Sequence, residues 1–472
     1  MLKFKKLTES LYGDIRKHVL NGDYKACDFS LGVFIMWNEQ YFYEFAAFDG
    51  SLIVKLKYRG QTWFLPPLGG NFLSAVKEIE NYCVENEEKV RFTCVDDEYA
   101  DFFKTRYGKL AAASFNRDYS DYLYDIDDIR MFSGKKYGGQ RNHINKFNKS
   151  YPDHEFTPLK KSDVDEIKKF LAEYKREHKI MGEVEKEEFK NTLKIVENYH
   201  PKYFIGGAMR VGGKMVSFTV GEIAGDELII HVEKALKSYE GAYPATFNAF
   251  CKACENPAVK YANREDDAGD AGLRTSKTQY HPVRLINKNQ IIAAYPMPIK
   301  KMPTLKGEKV VLNAVKKSDA AVYYKLYTRK ANNRYWGYDY KKDILNPIEN
   351  SFYKMQLSDF KKGVNACFAV RTSPRGEMLG EAILYNFDYD GVAEVGIRLF
   401  EKHQGKGFAF DALSALITYA ETVLGLKLKA KCHIKNEKSL RLLEKCGFYM
   451  VGKTGNFYRF LHKTPQKSDK EL

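Results

Sequence analysis

The stretch "RLFEKHQGKGFAFDALSAL", Arg398 to Leu416, joins an apolar strand to an amphipathic helix through a turn rich in glycine and lysine. Gly405 and Gly407 leave the first N–H groups of the helix uncovered, and Lys402 and Lys406 lie beside them in the sequence. Unpaired N–H groups at a helix N-terminus attract anions, so the turn favours a phosphate-bearing ligand. Glycine-rich turns also arise for steric reasons alone, and the rest of the chain has to distinguish the two explanations.

The residues around this turn predict a definite order of elements. Three apolar or alternating β-rich segments precede the turn, and a helix, a strand, a second helix and a final strand follow it. Residues 204–280 predict a similar order, beginning with a hairpin across Gly212 and Gly213 and placing "SYEGAYPA" where the glycine turn stands. The two regions therefore resemble distant versions of one α/β unit.

Length, charge and composition limit the class of protein. At about 150 residues a domain, 472 residues predict three domains. The net charge is +15, which favours an anionic partner such as CoA, tRNA or a lipid headgroup, or else reflects solvated lysines. The proline-rich segment Tyr295–Lys309 predicts a linker, because proline disfavours both helix and central strand.

The chain shows no targeting or metal-binding pattern. Its first residues, "MLKFKKLTES", lack the apolar core of a signal peptide, and no apolar run approaches the ~20 residues of a membrane span. Eight cysteines are scattered, and the single C-x-x-C pair of Cys251 and Cys254 lacks the second pair that zinc needs. We therefore expect a cytoplasmic protein with reduced thiols and no metal.

Residues 304–465 resemble a GNAT N-acetyltransferase domain. The matching features are the Q-x-x-G-x-A pattern that starts at Gln404 and the segment N-x-x-S-x-x-L-L-x-K-x-G-F from Asn436 to Phe448. The resemblance implies an acyltransferase that uses acetyl-CoA to acetylate a primary amine of a small molecule or peptide. It also implies a set of cofactor-binding residues: Leu399, Gln404, Gly405, Lys406, Gly407, Phe408, Ala409 and Asn436. Asn436 equally suits an ordinary helix cap, and the two roles are compatible.

Acetylation of an amine requires a base that removes a proton from the nitrogen. Strand alternation places Glu394 on the face opposite the apolar residues Val395 and Ile397, so Glu394 is the predicted catalytic base. Glu381 on the preceding strand is the competing candidate, and either glutamate can also be a plain solvated side chain. Many relatives carry a tyrosine general acid where this chain has Leu443. Tyr449, Tyr458 and water remain open as substitutes.

Residues 1–295 resemble the family, once a domain of unknown function, that is now named for the C-terminal domain of phosphatidylglycerol lysyltransferase. The matching stretches include "FLPPLG", "YLYDIDDIRMFSGKKYGGQRNHINKF" and "NREDDAGDAGLRTSKTQYHP". The resemblance implies two GNAT-like lobes, residues 1–120 and 121–295, which makes three mixed-sheet α/β lobes in the whole chain. In "SYEGAYPA", Glu240 aligns with Gln404 and Tyr243 with the second glycine, so this lobe is not expected to bind CoA in the usual way.

The second lobe carries instead a dense set of polar residues that suits a zwitterion such as an amino acid or aminoacyl group. The predicted substrate-binding residues there are Asn263, Arg264, Glu265, Asp267, Arg274 and Lys277. An ion-pair network that closes the lobe explains the same residues equally well. Two other functions therefore stay open beside the N-acetyltransferase. One is aminoacyl transfer from aminoacyl-tRNA by the N-terminal lobes, and the other is non-catalytic binding of a ligand or partner.

Overall fold

The structure is a computed structural model that describes residues 2–21, 24–178, 183–336, 344 and 347–463. Residues 464 and 465, the last two of the predicted acetyltransferase domain, lie outside the described residues. The chain forms two compact units, one of residues 1–79 and 90–293 and the other of residues 80–89 and 294–472. No helix in the described part of the chain is long and apolar enough to cross a membrane.

The described residues of the first unit, together with residues 80–85 of the second, form fourteen strands and ten α-helices. The strands are β1 (Lys5–Lys6), β2 (Glu44–Phe48), β3 (Ser51–Tyr58), β4 (Gln61–Phe64), β5 (Arg91–Val95), β6 (Ala111–Phe115), β7 (Asp121–Asp125), β8 (Glu155–Pro158), β9 (Ile205–Val211), β10 (Lys214–Ala224), β11 (Glu227–Ala235), β12 (Tyr261–Asn263), β13 (Arg284–Ile286) and β14 (Asn289–Ala293). The helices are α1 (Tyr12–Leu20), α2 (Leu31–Tyr41), α3 (Phe72–Glu85), α4 (Asp97–Tyr107), α5 (Ile126–Met131), α6 (Gly138–Ser150), α7 (Val164–His178), α8 (Glu183–Glu197), α9 (Ala242–Ala253) and α10 (Ala271–Thr278).

The second unit contains a third sheet. Its strands are β15 (Leu305–Lys306), β16 (Val311–Ala314), β17 (Ala366–Arg371), β18 (Met378–Tyr385), β19 (Val392–Leu399), β20 (Lys427–His433), β21 (Phe448–Thr454) and β22 (Phe457–His462). Its helices are α11 (Ala320–Thr328), α12 (Lys330–Asn333), α13 (Ser351–Lys362), α14 (Phe408–Thr418) and α15 (Glu437–Lys445). The sequence predicted β16 to β20, β22, α11, α14 and α15 in this order, whereas β15, β21, α12 and α13 were left unassigned. The α/β class and the three mixed sheets are confirmed.

One topology recurs in all three sheets. Three antiparallel strands are followed by a helix and then by a strand parallel to the third: β2-β3-β4, α3 and β5; β9-β10-β11, α9 and β12; β17-β18-β19, α14 and β20. The predicted parallel between the second lobe and the C-terminal region is therefore confirmed. Each parallel pairing is short. In the third sheet, β19 continues to Leu399 beyond Glu394, the last residue that pairs with β20.

The two sheets of the first unit exchange strands. In the third sheet, the position between β20 and β21 is filled by β22, the strand that directly follows β21. In the first sheet, the equivalent position between β5 and β6 is filled by β14 rather than by β7. Strand β7 instead lies between β12 and β13 of the second sheet. The last strand of the N-terminal region therefore completes the first sheet, and the two lobes fold as one unit.

The core of the second unit explains why α14 forms where it does. The buried residues of α14 follow helical spacing and pack against the apolar face of β19, which includes Val395. They are Ala412, Leu413, Leu416 and Ile417. Each buried leucine or isoleucine contributes about 1.5–3 kcal/mol relative to an exposed one. This packing holds the start of α14 beside the end of β19.

Candidate functional site

The candidate site is the cleft that opens where β19 and β20 separate. Val392–Glu394 pair in parallel with Lys427–Lys429, and after Glu394 the two strands share no further register. The cleft is lined by Glu394, Gly396, Arg398 and Leu399 from β19, Ala430, Lys431 and Cys432 from β20, Gly405, Gly407 and Ala409 from the turn and α14, and Asn436 and Leu443 from α15 and its cap. The glycine turn and the predicted base therefore line one cleft, as a two-substrate transfer requires.

The glycine turn has a backbone that suits glycine. Gly405 and Gly407 have φ angles of +77° and +83°, in the left-handed region where a side chain is strained. Gly407 is the residue before α14, and no side chain caps this helix end. The N–H groups of the first helical turn thus remain available to a ligand, and both glycines line the cleft. A diphosphate fits this cradle, because its oxygens accept from backbone N–H groups that no side chain covers.

The other predicted cofactor residues take different places. Gln404 donates from Nε2 to the Leu399 carbonyl at 3.1 Å, so its side chain joins the turn to the end of β19. Asn436 caps α15, with Oδ1 accepting from Ser439 N at 3.3 Å, and it also lines the cleft. Phe408 packs partly against the core, while Lys406 is exposed.

A cation that the sequence analysis missed lies beside the turn. Asp411, in the first turn of α14, accepts hydrogen bonds from the backbone N–H groups of Glu308, Lys309 and Val310 at 2.9, 2.7 and 2.8 Å. This contact places Lys309 Nζ 3.3 Å from where a Cβ on Gly407 would lie. The sequence signal was weak: an aspartate in the first turn of a helix, about 100 residues from the lysine that it positions.

Lys402, the other lysine noted beside the turn, is engaged elsewhere. Its ammonium forms an ion pair with Glu377 at 3.0 Å on the exposed surface. Lys402 is therefore paired with a glutamate, and Lys309, distant in the sequence, is positioned at the turn.

Glu394 is a buried carboxylate at the point where the cleft opens. Its residue is 1% exposed. Oε1 accepts from the Tyr385 hydroxyl at 2.6 Å, Oε2 accepts from Asn386 Nδ2 at 3.2 Å, and Lys431 Nζ lies 3.5 Å from Oε2. All four of these residues line the cleft. The carboxylate is thus oriented by several polar groups next to the space that an acceptor would enter.

Glu381, the competing candidate, has a different environment. It is fully buried and accepts from the hydroxyl of Tyr323 at 2.6 Å and from Cys367 Sγ at 3.0 Å. Its other oxygen forms an ion pair with Arg398, whose guanidinium lies over the ring of Trp336. Burial raises the pKa of both Tyr323 and Cys367. Glu381 is not among the described residues that line the cleft, so it forms part of an internal network.

The tyrosines of the site do not match the sequence expectation. Leu443 lines the cleft, but neither Tyr449 nor Tyr458 is among the described residues that do so. Tyr335 and Tyr385 line it instead. Tyr385 was not recognised in the sequence because it belongs to a different strand from Glu394, and the β18–β19 register alone brings them opposite each other.

In the first unit, the six predicted substrate residues bond mainly to one another and to their neighbours. Asp267 is buried and accepts from Arg274 Nε, from Arg117 and from the Tyr122 hydroxyl at 2.9, 3.0 and 2.6 Å. The hydrogen bond from Arg274 is the main reason why the pKa of Asp267 is lowered. Lys277 donates to the carbonyl of Arg264 at 2.6 Å, and burial lowers its pKa.

Two of the remaining three residues continue this network. Arg264 pairs with Glu233 at 2.9 Å and lies over the ring of Phe247. Asn263 donates to Glu227 at 3.0 Å, and burial raises the pKa of Glu227 to about 8. A substrate-binding role for the six residues stays a prediction.

A histidine that the sequence analysis did not select joins this network. His231 lies between two carboxylates, with Nε2 3.0 Å from Glu222 and Nδ1 2.8 Å from Glu265. Burial lowers its pKa, but the two hydrogen bonds outweigh burial and raise it to about 9. The N-terminus of α2 closes over it, since Gly32 N donates to Glu222 at 2.7 Å and a Cβ on Gly32 would collide with the imidazole.

The turn of the second lobe is covered by α6. Gly241, with φ +87°, directly precedes α9, so it corresponds to Gly407. The sequence alignment of Tyr243 with Gly407 was therefore wrong by two residues, because helix geometry and not residue type defines the position. A Cβ on Gly241 would lie 2.7 Å from the His143 carbonyl, so α6 occupies the space that is open beside Gly407.

Comparison with known proteins agrees with this geometry. Residues 22–289, more than half of the chain, match the family model described as phosphatidylglycerol lysyltransferase, C-terminal. The chain belongs to this family. In this member, the lysyltransferase-family region is followed by a match to the acetyltransferase (GNAT) domain over residues 309–449. The predicted fusion is confirmed, and this family member is an acyltransferase of the GNAT type.

Similar proteins cover each part of this lysyltransferase-family chain. A Bacteroides thetaiotaomicron structure, a conserved protein of unknown function, is 27% identical with a TM-score of 0.59, and the match covers 62% of this chain and 100% of that one. The uncharacterized N-acetyltransferase YoaA of Bacillus subtilis is 25% identical over 152 residues, 32% of this chain and 85% of that protein. Spermidine N(1)-acetyltransferase of Vibrio cholerae is 25% identical over 148 residues, 31% of this chain and 82% of that protein.

Proposed function

We propose that the C-terminal domain, residues 304–465, is an acetyl-CoA-dependent N-acetyltransferase that acts on a primary amine. The observation that carries the proposal is the cleft between β19 and β20, which joins an uncovered glycine turn to the buried carboxylate of Glu394. An acetyl-CoA-dependent N-acetyltransferase needs both a binding site for the diphosphate and a proton acceptor in one cleft. We place the activity in the cytoplasm, where the free thiols of the eight cysteines stay reduced.

The proposal assigns a role to each side of the cleft. When bound, acetyl-CoA supplies an acetyl group activated as a thioester. The first-turn N–H groups of α14, with Gly405 and Gly407, hold the diphosphate, and Lys309 adds positive charge beside them. Backbone groups around Leu399, at the end of β19, would bind the pantetheine arm. Gln404 maintains this frame by joining the turn to the end of β19, and Asn436 by capping α15.

Glu394 accepts the proton of the acceptor ammonium in this scheme. Loss of that proton frees the nitrogen lone pair for attack, and a positioned base contributes about 10²–10⁴-fold to such a step. Glu381 does not serve as the base, because its carboxylate is already bound by Arg398 and Tyr323 away from the cleft. A similar Vibrio cholerae protein is named a spermidine N(1)-acetyltransferase, which supports an amine acceptor.

The experiment that tests the function uses the full chain. Calorimetry with acetyl-CoA is expected to give saturable 1:1 binding. Incubation with labelled acetyl-CoA and a panel of small amines and peptides, followed by mass spectrometry, is expected to show acetylated amines. No binding at millimolar cofactor would overturn the assignment of the cleft. Binding without transfer to any amine of the panel would favour a non-catalytic binding protein.

A second candidate function rests on family membership of residues 22–289. In it, the N-terminal region transfers an aminoacyl group from aminoacyl-tRNA, and the basic charge of the chain favours the tRNA. Incubation with tRNA charged with labelled amino acids is expected to pass label to lipid or peptide amines. A simpler first measurement is the affinity for tRNA, which is expected to fall steeply as the salt concentration rises. Intact charged tRNA after incubation would exclude this candidate.

A further inference from the structure

The polar groups around Glu394 come from two places in the fold, the end of β18 and β20. Tyr385 ends β18 and is the register partner of Glu394 across the β18–β19 pair. Asn386 directly follows β18, and Lys431 belongs to β20, two residues beyond Lys429, which pairs with Glu394. Tyr385 and Asn386 reach the carboxylate through the pairing of β18 with β19, whereas Lys431 reaches it through the parallel pairing of β19 with β20, which no local motif encodes.

The backbone at Asn386 is bent in a way that serves this contact. Asn386 has φ +49°, a left-handed conformation that is uncommon outside glycine. This conformation ends β18 and lets the amide reach Oε2 of Glu394 at 3.2 Å, while Tyr385 holds Oε1 at 2.6 Å. Each carboxylate oxygen therefore receives its own hydrogen-bond donor. Unfavourable backbone geometry of this kind concentrates at functional sites.

We propose that Tyr385 and Asn386 are positioning residues that, together with the Lys431 ammonium, hold the Glu394 carboxylate in one orientation toward the acceptor. A general base must lie within hydrogen-bond reach of the proton that it takes, so the orientation of its carboxylate matters. A separate donor on each oxygen, with the Lys431 ammonium beside Oε2, limits the rotation of the Glu394 carboxylate. The inference rests on the proposed function and deepens it, because it assigns residues that no sequence motif of the domain contains.

The test measures kcat/KM against pH in the full chain with acetyl-CoA and the best amine of the panel. Among described residues, the titratable or charged groups that contact Glu394 are the Tyr385 hydroxyl from β18 and the Lys431 ammonium from β20. Tyr385→Phe keeps the ring and removes one donor. It is expected to move the acidic limb of the profile upward by about one pH unit, since one charge-assisted hydrogen bond is lost. Asn386→Gly keeps the left-handed backbone, and it is expected to move the limb in the same direction.

Two controls separate positioning from a general structural effect. Tyr353→Phe on α13 removes a hydroxyl from a residue that is not among the described lining of the cleft, and its profile is expected to match the parent. Combining Tyr385→Phe with Glu394→Gln is expected to lower kcat less than twofold beyond Glu394→Gln alone, because Tyr385 acts through Glu394. Unchanged far-UV circular dichroism in each variant confirms folding.

The outcomes distinguish this inference from the function on which it rests. If the parent protein transfers no acetyl group, the proposed function fails first. If the parent is active and Glu394→Gln is strongly impaired, but Tyr385→Phe and Asn386→Gly keep the parental pH profile, the positioning role is wrong while the function stands. Additive losses in the double variant would also overturn it, since they would show that Tyr385 acts independently of Glu394.

Discussion

Asp411 on α14 accepts the backbone N–H of Lys309 at 2.7 Å, and two further N–H groups of the same segment, from Glu308 and Val310, converge on this carboxylate. One side chain thereby ties the segment before β16 to the first turn of α14. Gly307 completes the contact, because a Cβ there would collide with the Asp411 carboxylate. The contact between Asp411 and Lys309 therefore joins two segments of the domain and also positions the lysine charge beside the glycine turn.

Asp411→Ala is expected to lower the free energy of unfolding by about 1–3 kcal/mol, because three N–H groups lose a charged acceptor. Urea denaturation followed by fluorescence measures the change. Glu437→Ala is the matched control: it is also an acidic residue in the first turn of a helix, but its exposed pair with Arg441 contributes little. An Asp411 variant as stable as the control would contradict the role of the contact.

Lys309→Ala is expected to weaken CoA binding about three- to tenfold, with a smaller loss at 0.5 M salt where the charge is screened. Pantetheine lacks the diphosphate, and its binding is expected to stay unchanged. Lys402→Ala serves as the control, since Lys402 is already paired with Glu377. Calorimetry measures the binding of both ligands to the parent and to the two variants. Equal losses for CoA and pantetheine would show that Lys309 does not act on the diphosphate.

Gly407→Ala is expected to reduce CoA affinity at least tenfold, because a side chain at φ +83° strains the turn and crowds Lys309. Gly425→Ala has the same kind of strain, at φ +67°, with no atom within 4 Å of the added Cβ, and it lies outside the turn. Its affinity for CoA is expected to match the parent. Comparable affinities in both folded variants would mean that the turn does not hold the cofactor.

Glu394→Gln is expected to lower kcat by about 10²–10⁴-fold near neutral pH with little change in CoA affinity. The difference in kcat between the variant and the parent is expected to become smaller at high pH, because more of the acceptor amine is neutral there before it binds. Steady-state kinetics from pH 6 to 10 measure this behaviour. Retained activity across the range would exclude Glu394 as the base.

Glu381→Gln, the variant on the neighbouring strand, is expected to act on stability rather than on the proton transfer. It breaks a buried ion pair with Arg398, which costs about 3–5 kcal/mol. Thermal denaturation is expected to show a lower Tm, so Glu381→Gln is a poor catalytic control. A stable Glu381 variant with the pH profile of Glu394→Gln would reverse the assignment of the two glutamates.

His231 is expected to make the stability of the first unit depend on pH. Burial lowers its pKa, but the hydrogen bonds to Glu222 and Glu265 raise it to about 9, above the unfolded value of about 6.5. The stabilisation, up to about 3 kcal/mol, is therefore present below pH 6.5 and is lost as the pH rises through 9. His231→Gln is expected to remove this component in urea titrations between pH 6 and 9.5. The control His200→Gln changes an exposed histidine and is expected to keep the parental slope.

The order of strands and helices in the second unit followed from the sequence because the apolar spacing is local. The glycine turn was recognisable for the same reason: the residues that need a left-handed backbone, Gly405 and Gly407, adjoin the helix that they start. The face on which Glu394 lies followed from strand alternation, which depends on neighbouring residues alone.

Tertiary structure decided what the sequence left open. Strand alternation alone does not distinguish Glu381 from Glu394 as the base. The register of β18 with β19, together with the separation of β20, places Glu394 at the cleft and Glu381 in the interior. Long-range contacts also bring Lys309 to the turn through Asp411, and they place β14 in the first sheet rather than beside β13. The physical reason is the same in each case: the partners are distant along the chain, so the sequence near either of them carries no sign of the other.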